Sequence, residues 1–313
     1  MKIGFLFPGQ GAQVVGMGAD LYNEYEEVRR VYDEVEKITG IDIKKISFEG
    51  PENILNETQN TQLAVLTESL AVLSLLHKNK IKADAMAGLS LGEYTALIED
   101  GVFDFETGIK IVKERGKIMH TFVPDGDWKM AAILGLDDDT VKKVCESVTE
   151  GFVVPVNFNT VGQVVISGYE ESVDKASALA KEFGAKKVSV LKTEGPFHTS
   201  KMELCSVIFR KVLENSKINI KNSGVVKNLD GSFYSENDDV VDVLSKHIMS
   251  PVHFSDCLKT MYRSGIDTFI EIGAGKALSG FVKRMKFETE IKIMNINNVE
   301  TLKSVVKEVN KNE

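Results

Sequence analysis

The chain has 313 residues, which fits either two units at ~150 residues each or one elaborated α/β domain. With 43% hydrophobic and 27% charged residues, a chain of this size can bury about 75% of its unfolded surface, so disorder is excluded as its main state. A net charge of −8 argues against a general nucleic-acid binder, because phosphate contacts need a basic face. Cys145, Cys205 and Cys257 form no CxxC pair and have no histidine at zinc-ligand spacing. They read as reduced, packed thiols, and no metal site is expected. The apolar run after Lys2 stops at Pro8-Gly9, too short for a signal peptide. No later stretch approaches the ~18 uninterrupted apolar residues of a membrane span. A cytoplasmic chain without membrane or nucleic-acid partners is the expectation.

Residues 3–7 form a short buried-strand pattern that ends in the Gly-rich Pro8-Gly9-Gln10-Gly11-Ala12-Gln13, and an amphipathic helix is predicted over 20–37. Helical spacing returns at 60–78. Residues 84–88 then read as a strand feeding into Ser90 and a helix-forming run from Leu91 to Glu99. A further helical pattern over 104–121 ends before Pro124-Asp125-Gly126-Asp127, a turn cluster and candidate boundary. From there the order changes to strand 129–135, helix 137–148, strands 152–158 and 162–168, helix 170–182 and strand 186–191. This is βαββαβ, the ferredoxin-like arrangement. The chain resumes with a helix near 201–214, the strand Thr268-Phe269-Ile270-Glu271-Ile272, a Gly273-Ala274-Gly275 turn, a helix, a strand near 290–295 and a final charged helix. The alternation predicts a mainly parallel sheet covered on both faces, in a discontinuous body of 1–126 and 193–313, with an insert at 127–192.

Gly88-Leu89-Ser90-Leu91-Gly92 matches the nucleophile elbow, whose flanking glycines are needed because the turn is too sharp for side chains. The string alone arises by chance roughly once in eight chains of this composition, but here a strand precedes it and a helix follows, as the elbow requires. A serine hydroxyl needs a base, and histidine is the usual one. His77, His120 and His253 read as surface or packing residues. His198 sits in the turn-forming Gly195-Pro196-Phe197-His198-Thr199-Ser200 at the return from the insert, where a side chain can be aimed into a cleft. The Gln10 loop is either an anion-binding nest or a plain tight turn. In an acyl-transfer site, a nearby main-chain N–H could stabilise the oxyanion alongside that of Leu91. Neither Gly9-Gln10-Gly11 nor Gly273-Ala274-Gly275 completes a dinucleotide fingerprint, so nucleotide binding is disfavoured. Arg115, late in its helix, offers the planar fork that grips a carboxylate in two places.

Together these pieces resemble the malonyl-CoA:acyl-carrier-protein transacylases of type II fatty-acid synthesis. The likeness spans Phe7–Gln13, Thr61-Gln62, Gly88–Tyr94, Arg115-Gly116 with Met119, Asn157-Phe158-Asn159 before Gln163–Gly168, Phe197-His198-Thr199, Pro251-Val252 and Gly273–Lys276. It implies an α/β-hydrolase-like body with a ferredoxin-like insert. It also implies Ser90 as nucleophile, His198 as general base and acid, Gln10 and Leu91 as oxyanion-hole donors, and Arg115 as the malonyl-carboxylate ligand. Gln62, Asn157 and Asn159 are implied as further substrate-binding positions. In the family the histidine is oriented by a main-chain carbonyl, here in the His247–Pro251 segment, where relatives tend to carry Gln at the place of His247. Leu89 stands where His often precedes the nucleophile, and Leu63 where Pro is common. Phe197-His198-Thr199 is similar to the malonyl-preferring version of its motif.

The resemblance implies malonyl-CoA and acyl carrier protein as substrates, no metal or redox cofactor, and a monomeric chain. Carrier docking would use a local basic patch, with Lys186, Lys187, Lys192, Lys201, Lys283, Arg284 and Lys286 as candidates. Two rivals remain at this point: a serine esterase or thioesterase of the same broad fold, and a carrier-binding module with a dead site.

Overall fold

The computed structural model describes residues 1–219 and 223–311. Its strands are β1 (Ile3–Phe7), β2 (Ala85–Gly88), β3 (Trp128–Leu134), β4 (Val153–Thr160), β5 (Gln163–Tyr169), β6 (Lys187–Leu191), β7 (Thr268–Ile272) and β8 (Lys292–Ile296). They form two four-stranded sheets. The first has the order β2-β1-β7-β8 with every neighbouring pair parallel. β1 is buried along its whole length, as a strand must be when helices cover both faces. Its alternation divides the core: Phe5 and Phe7 join the cluster around the helix Thr58–Lys78, while Leu6 joins the one around the helices Phe254–Arg263 and Ala277–Met285. The helix Thr58–Lys78 is buried on nearly all sides, so it carries no polar stripe.

The second sheet has the order β4-β5-β3-β6 and is antiparallel throughout, the ferredoxin-like arrangement predicted by the βαββαβ pattern. The helices Asp138–Glu146 and Glu170–Glu182 pack on one face through Val141, Val144, Val173 and Ala176, against Ala131, Ile133, Val164 and Ile166. The opposite face presents Met130, Ala132, Val156 and Val165. The edge strand β4 is joined to the segment after Pro251, which leads into the helix Phe254–Arg263. The Phe158 amide donates to the Val252 carbonyl at 2.9 Å, and the Val252 amide to the Val156 carbonyl at 2.8 Å.

The helix predicted over 20–37 is two helices, Ala19–Glu24 and Glu26–Thr39, because Tyr25 is extended at φ −119°. The Arg29 guanidinium donates to the Tyr22 and Asn23 carbonyls that the break frees. The helices Val240–His247 and Phe254–Arg263 are additional to the sequence reading. Among the described residues no helix is long and apolar enough to cross a membrane.

Candidate active site

β2 ends at Gly88, and the chain turns at once into the helix Gly92–Glu99. A Cβ on Gly88 would lie 1.8 Å from the Gly92 carbonyl carbon, and one on Gly92 would lie 2.1 Å from the Phe7 carbonyl oxygen. Both positions therefore exclude every other residue. At the apex Ser90 takes φ +52°, a left-handed conformation costing a non-glycine residue about 1–3 kcal/mol. Asn228 holds it there: its Oδ1 accepts from the Ser90 amide at 2.7 Å, and its Nδ2 donates to the Gly88 carbonyl at 2.7 Å.

His198 reaches the same point from the loop that follows β6. Its own φ is +63°, and the Thr199 hydroxyl closes the turn by donating to the Pro196 carbonyl at 2.7 Å. His198 Nε2 lies 2.8 Å from Ser90 Oγ, while Nδ1 lies 3.0 Å from the His247 carbonyl oxygen and 3.2 Å from that of Ser250. A carbonyl oxygen can only accept, so Nδ1 carries the proton and Nε2 is free to accept one from the serine hydroxyl. Burial, and then the Arg115 cation, pull the His198 pKa down to about 4, against the two carbonyl contacts that raise it. The imidazole is therefore neutral near pH 7, the form a general base requires.

Arg115 projects from the helix Phe105–Thr121 and is fully buried. Gly116 lets that helix approach the helix Thr58–Lys78 closely: a Cβ there would lie 3.0 Å from the Gln59 Cα. Arg115 Nη1 donates to Gln62 Oε1 at 2.6 Å, Nη2 to Ser90 Oγ at 3.0 Å, and the guanidinium carbon sits 5.0 Å from the Tyr94 ring centroid. Among the described residues no carboxylate forms an ion pair with it, and its Nε has no hydrogen-bond partner. A buried cation without an ion-paired partner costs several kcal/mol, a cost that an anion in the adjoining cavity would offset.

These groups open on a cavity of about 970 Å³. Gly9, Gln10 and Leu89 line it on the side of the first sheet; Met130, Asn157, Asn159 and Val165 line it from the second. A Cβ on Gly9 would lie 2.3 Å from the Leu89 carbonyl oxygen, so this glycine lets the Gln10 loop pack directly on the elbow. Among the described residues neither the Gln10 nor the Leu91 amide donates to another protein group. Asn159 Oδ1 is buried without a partner. Of the basic docking candidates, Lys192 lines the cavity and pairs with Glu52 at 3.1 Å, Lys201 lies over the Phe152 ring, and Arg284 bonds Gln163. His77 and His120 pair with Glu99 and Glu194, and His253 stacks on Phe158.

The sequence reading missed Asn228, which lies in an irregular segment with no motif to mark it. It also left Glu93 without a role. Glu93 is fully buried, accepts from Tyr234 Oη at 2.6 Å and from the Asn228 amide at 3.3 Å, and its carboxyl is pushed up to about 7 by burial. An acid in the buried first turn of a short, mostly apolar helix was the available signal.

A strained serine, a neutral histidine on its hydroxyl and two unengaged main-chain amides are the parts that acyl transfer through a serine requires. Residues 4–301 match the model of the acyl transferase domain. Over 307 residues the chain is 39% identical to the malonyl CoA-acyl carrier protein transacylase of Bacillus subtilis (strain 168), covering 97% of this chain and 96% of that protein. The crystal structure of malonyl CoA-acyl carrier protein transacylase from Clostridium perfringens superposes with a TM-score of 0.93 at 38% identity, covering 99% of this chain and 98% of that one. A malonyl-transacylase in complex with a type II PKS acyl-carrier protein gives 0.92 at 32% identity, covering 98% of this chain and 100% of that one. The chain belongs to the acyl transferase domain family, and within it to the malonyl CoA-acyl carrier protein transacylases.

Proposed function

We propose that this chain moves a malonyl group from malonyl-CoA to the phosphopantetheine thiol of acyl carrier protein, through an ester on Ser90, in fatty-acid synthesis. The observation that carries the choice of acyl group is the buried Arg115, which has no carboxylate partner and donates at 3.0 Å to the serine hydroxyl. An acyl group ending in a carboxylate supplies the missing counter-charge beside the nucleophile. Gln62 holds one arm of the fork; Asn157 and Asn159 face the acyl chain from the second sheet.

In the first half-reaction Ser90 Oγ gives its proton to His198 Nε2 and attacks the thioester carbon. The Gln10 and Leu91 amides receive the oxyanion. When the C–S bond breaks, His198 returns the proton to the departing CoA sulfur. In the second half-reaction the carrier thiol gives its proton to Nε2 and attacks the Ser90 ester, and the serine oxygen leaves with that proton. The carbonyl partners of His198 Nδ1 speak against a hydrolase that relies on a carboxylate-oriented histidine. The same reading divides the chain into a body of 1–126 and 193–313 and an insert of 127–192, with the acyl cavity between their sheets.

Malonyl-CoA added with and without holo carrier protein, followed by intact-mass measurement of both proteins, tests this. The expected outcome is one malonyl group on the wild type, none on Ser90→Ala, and transfer to the carrier when it is present. Acylation that persists in Ser90→Ala, or release to water without transfer, overturns it.

A further inference from the structure

Ser90, His198 and Arg115 leave a second buried acid and base unused. Glu93 lies in the first turn of the helix after the elbow, and His247 is the last residue of the helix Val240–His247. Both side chains are 1% exposed, and His247 Nδ1 lies 3.5 Å from Glu93 Oε2. Neither ring nitrogen of His247 makes a hydrogen bond. The rings of His247 and His198 are 5.0 Å apart, centroid to centroid.

The connections of this pair run to both reacting groups. Glu93 accepts from the Asn228 amide, and the Asn228 side chain grips the main chain on both sides of the elbow, at Gly88 and Ser90. His247 presents its carbonyl to His198 Nδ1. We propose that Glu93 and His247 are a buried positioning pair that fixes the nucleophile through Asn228 and the base through the His247 carbonyl. The proposal rests on the reading of Ser90 and His198 as nucleophile and base.

One proton between carboxyl and imidazole leaves the pair neutral overall, in keeping with its complete burial near the Arg115 cation. A proton on His247 Nδ1 faces Glu93 Oε2 across the 3.5 Å gap, and this attraction steadies the helix end whose carbonyl meets His198. A glutamine at 247 keeps an N–H for the carboxylate; a leucine does not.

His247→Leu, His247→Gln and Glu93→Gln are to be compared with the wild type. Rates of Ser90 acylation are counted per serine that can be acylated at long times, so that misfolded protein does not contribute. Both His247→Leu and Glu93→Gln should slow acylation by about tenfold or more while moving the malonyl-CoA KM less than about twofold, since Arg115 is untouched. His247→Gln should recover most of the rate. In the substrate-free protein the downfield proton NMR signal of His198 Nδ1–H should move in the first two variants and return toward its wild-type position in His247→Gln. A wild-type rate and an unmoved signal in His247→Leu overturn the proposal, as does an equal loss in His247→Gln. Failure of the wild type itself to take up malonyl would instead defeat the functional reading, and the substrate-free NMR comparison would still decide the role of the pair.

Discussion

Arg115 Nη2 donates to Ser90 Oγ across 3.0 Å, so a permanently charged group touches the atom proposed as the nucleophile. This contact holds the hydroxyl toward His198 before substrate arrives. It also marks where a second negative charge would sit. A charged hydrogen-bonded pair contributes about 1.5–3 kcal/mol, or roughly 10- to 150-fold in selectivity. Arg115→Ala is therefore expected to lose that preference for malonyl over acetyl in competition kinetics between the two CoA esters. Arg115→Lys keeps the charge but not the fork, and should fall between. Unchanged selectivity in the alanine variant would remove Arg115 from substrate recognition.

Gly88→Ala should damage the fold before it damages the chemistry. The added methyl would meet main-chain atoms of Gly92 and Glu93 at 1.8–2.2 Å, and backbone at a packed strand-to-helix turn cannot yield as a side-chain tip can. A loss of about 3 kcal/mol or more in denaturant unfolding is expected. Gly280→Ala serves as the control, since nothing lies within 4 Å of a Cβ there.

If His198 is the base proposed above, its low pKa of about 4 should set the acid limb of activity. The free protein keeps a neutral base well below the ordinary 6.5, so kcat/KM for malonyl-CoA should hold until the pH approaches about 4. A bound malonyl carboxylate would offset the Arg115 charge that helps to depress this pKa, so the corresponding limb of kcat should lie at higher pH. A kcat/KM limb at 6.5 would contradict the geometry. For stability the sign is equally definite. The unfolded histidine takes up a proton below 6.5 and the folded one only near 4, so this contribution is present above 6.5 and is lost as pH falls from 6.5 to about 4.

Glu68 gives the opposite slope. It lies inside the helix Thr58–Lys78, neither of its carboxyl oxygens has a hydrogen-bond partner, and burial pushes its pKa from 4.5 up to about 8. The folded chain holds a proton that the unfolded chain releases, so stability should fall as pH rises from 4.5 to about 8. Glu68→Gln should flatten that slope and raise the melting temperature most at pH 8 and above, with little change below 4.5. Equal melting shifts at pH 4 and pH 8 would show that the carboxyl is not held neutral.

The legible parts of this chain were those in which local pattern and tertiary role agree. Ile3–Phe7 and Thr268–Ile272 read as buried strands because both faces are covered, and the βαββαβ order read correctly because its two helices and four strands each show their own period. Gly88 and Gly92 announced the elbow because the turn admits nothing else. The break at Tyr25 was hidden because the hydrophobic spacing continues across it and the compensating Arg29 contacts exist only in three dimensions. Asn228 was illegible for a related reason: its work depends on two main-chain groups some 140 residues away in the chain. That separation leaves no periodic trace.

The short ladder between Val252 and β4 couples two walls of the cavity. Just upstream of Val252, the Ser250 carbonyl supports the imidazole; just beyond it on β4, Asn157 and Asn159 face the contents of the pocket. The wall that carries Asn157 and Asn159 and the main chain that supports the imidazole are thus hydrogen-bonded to each other. One short ladder therefore ties the shape of the chamber to the placement of the ring beside the alcohol.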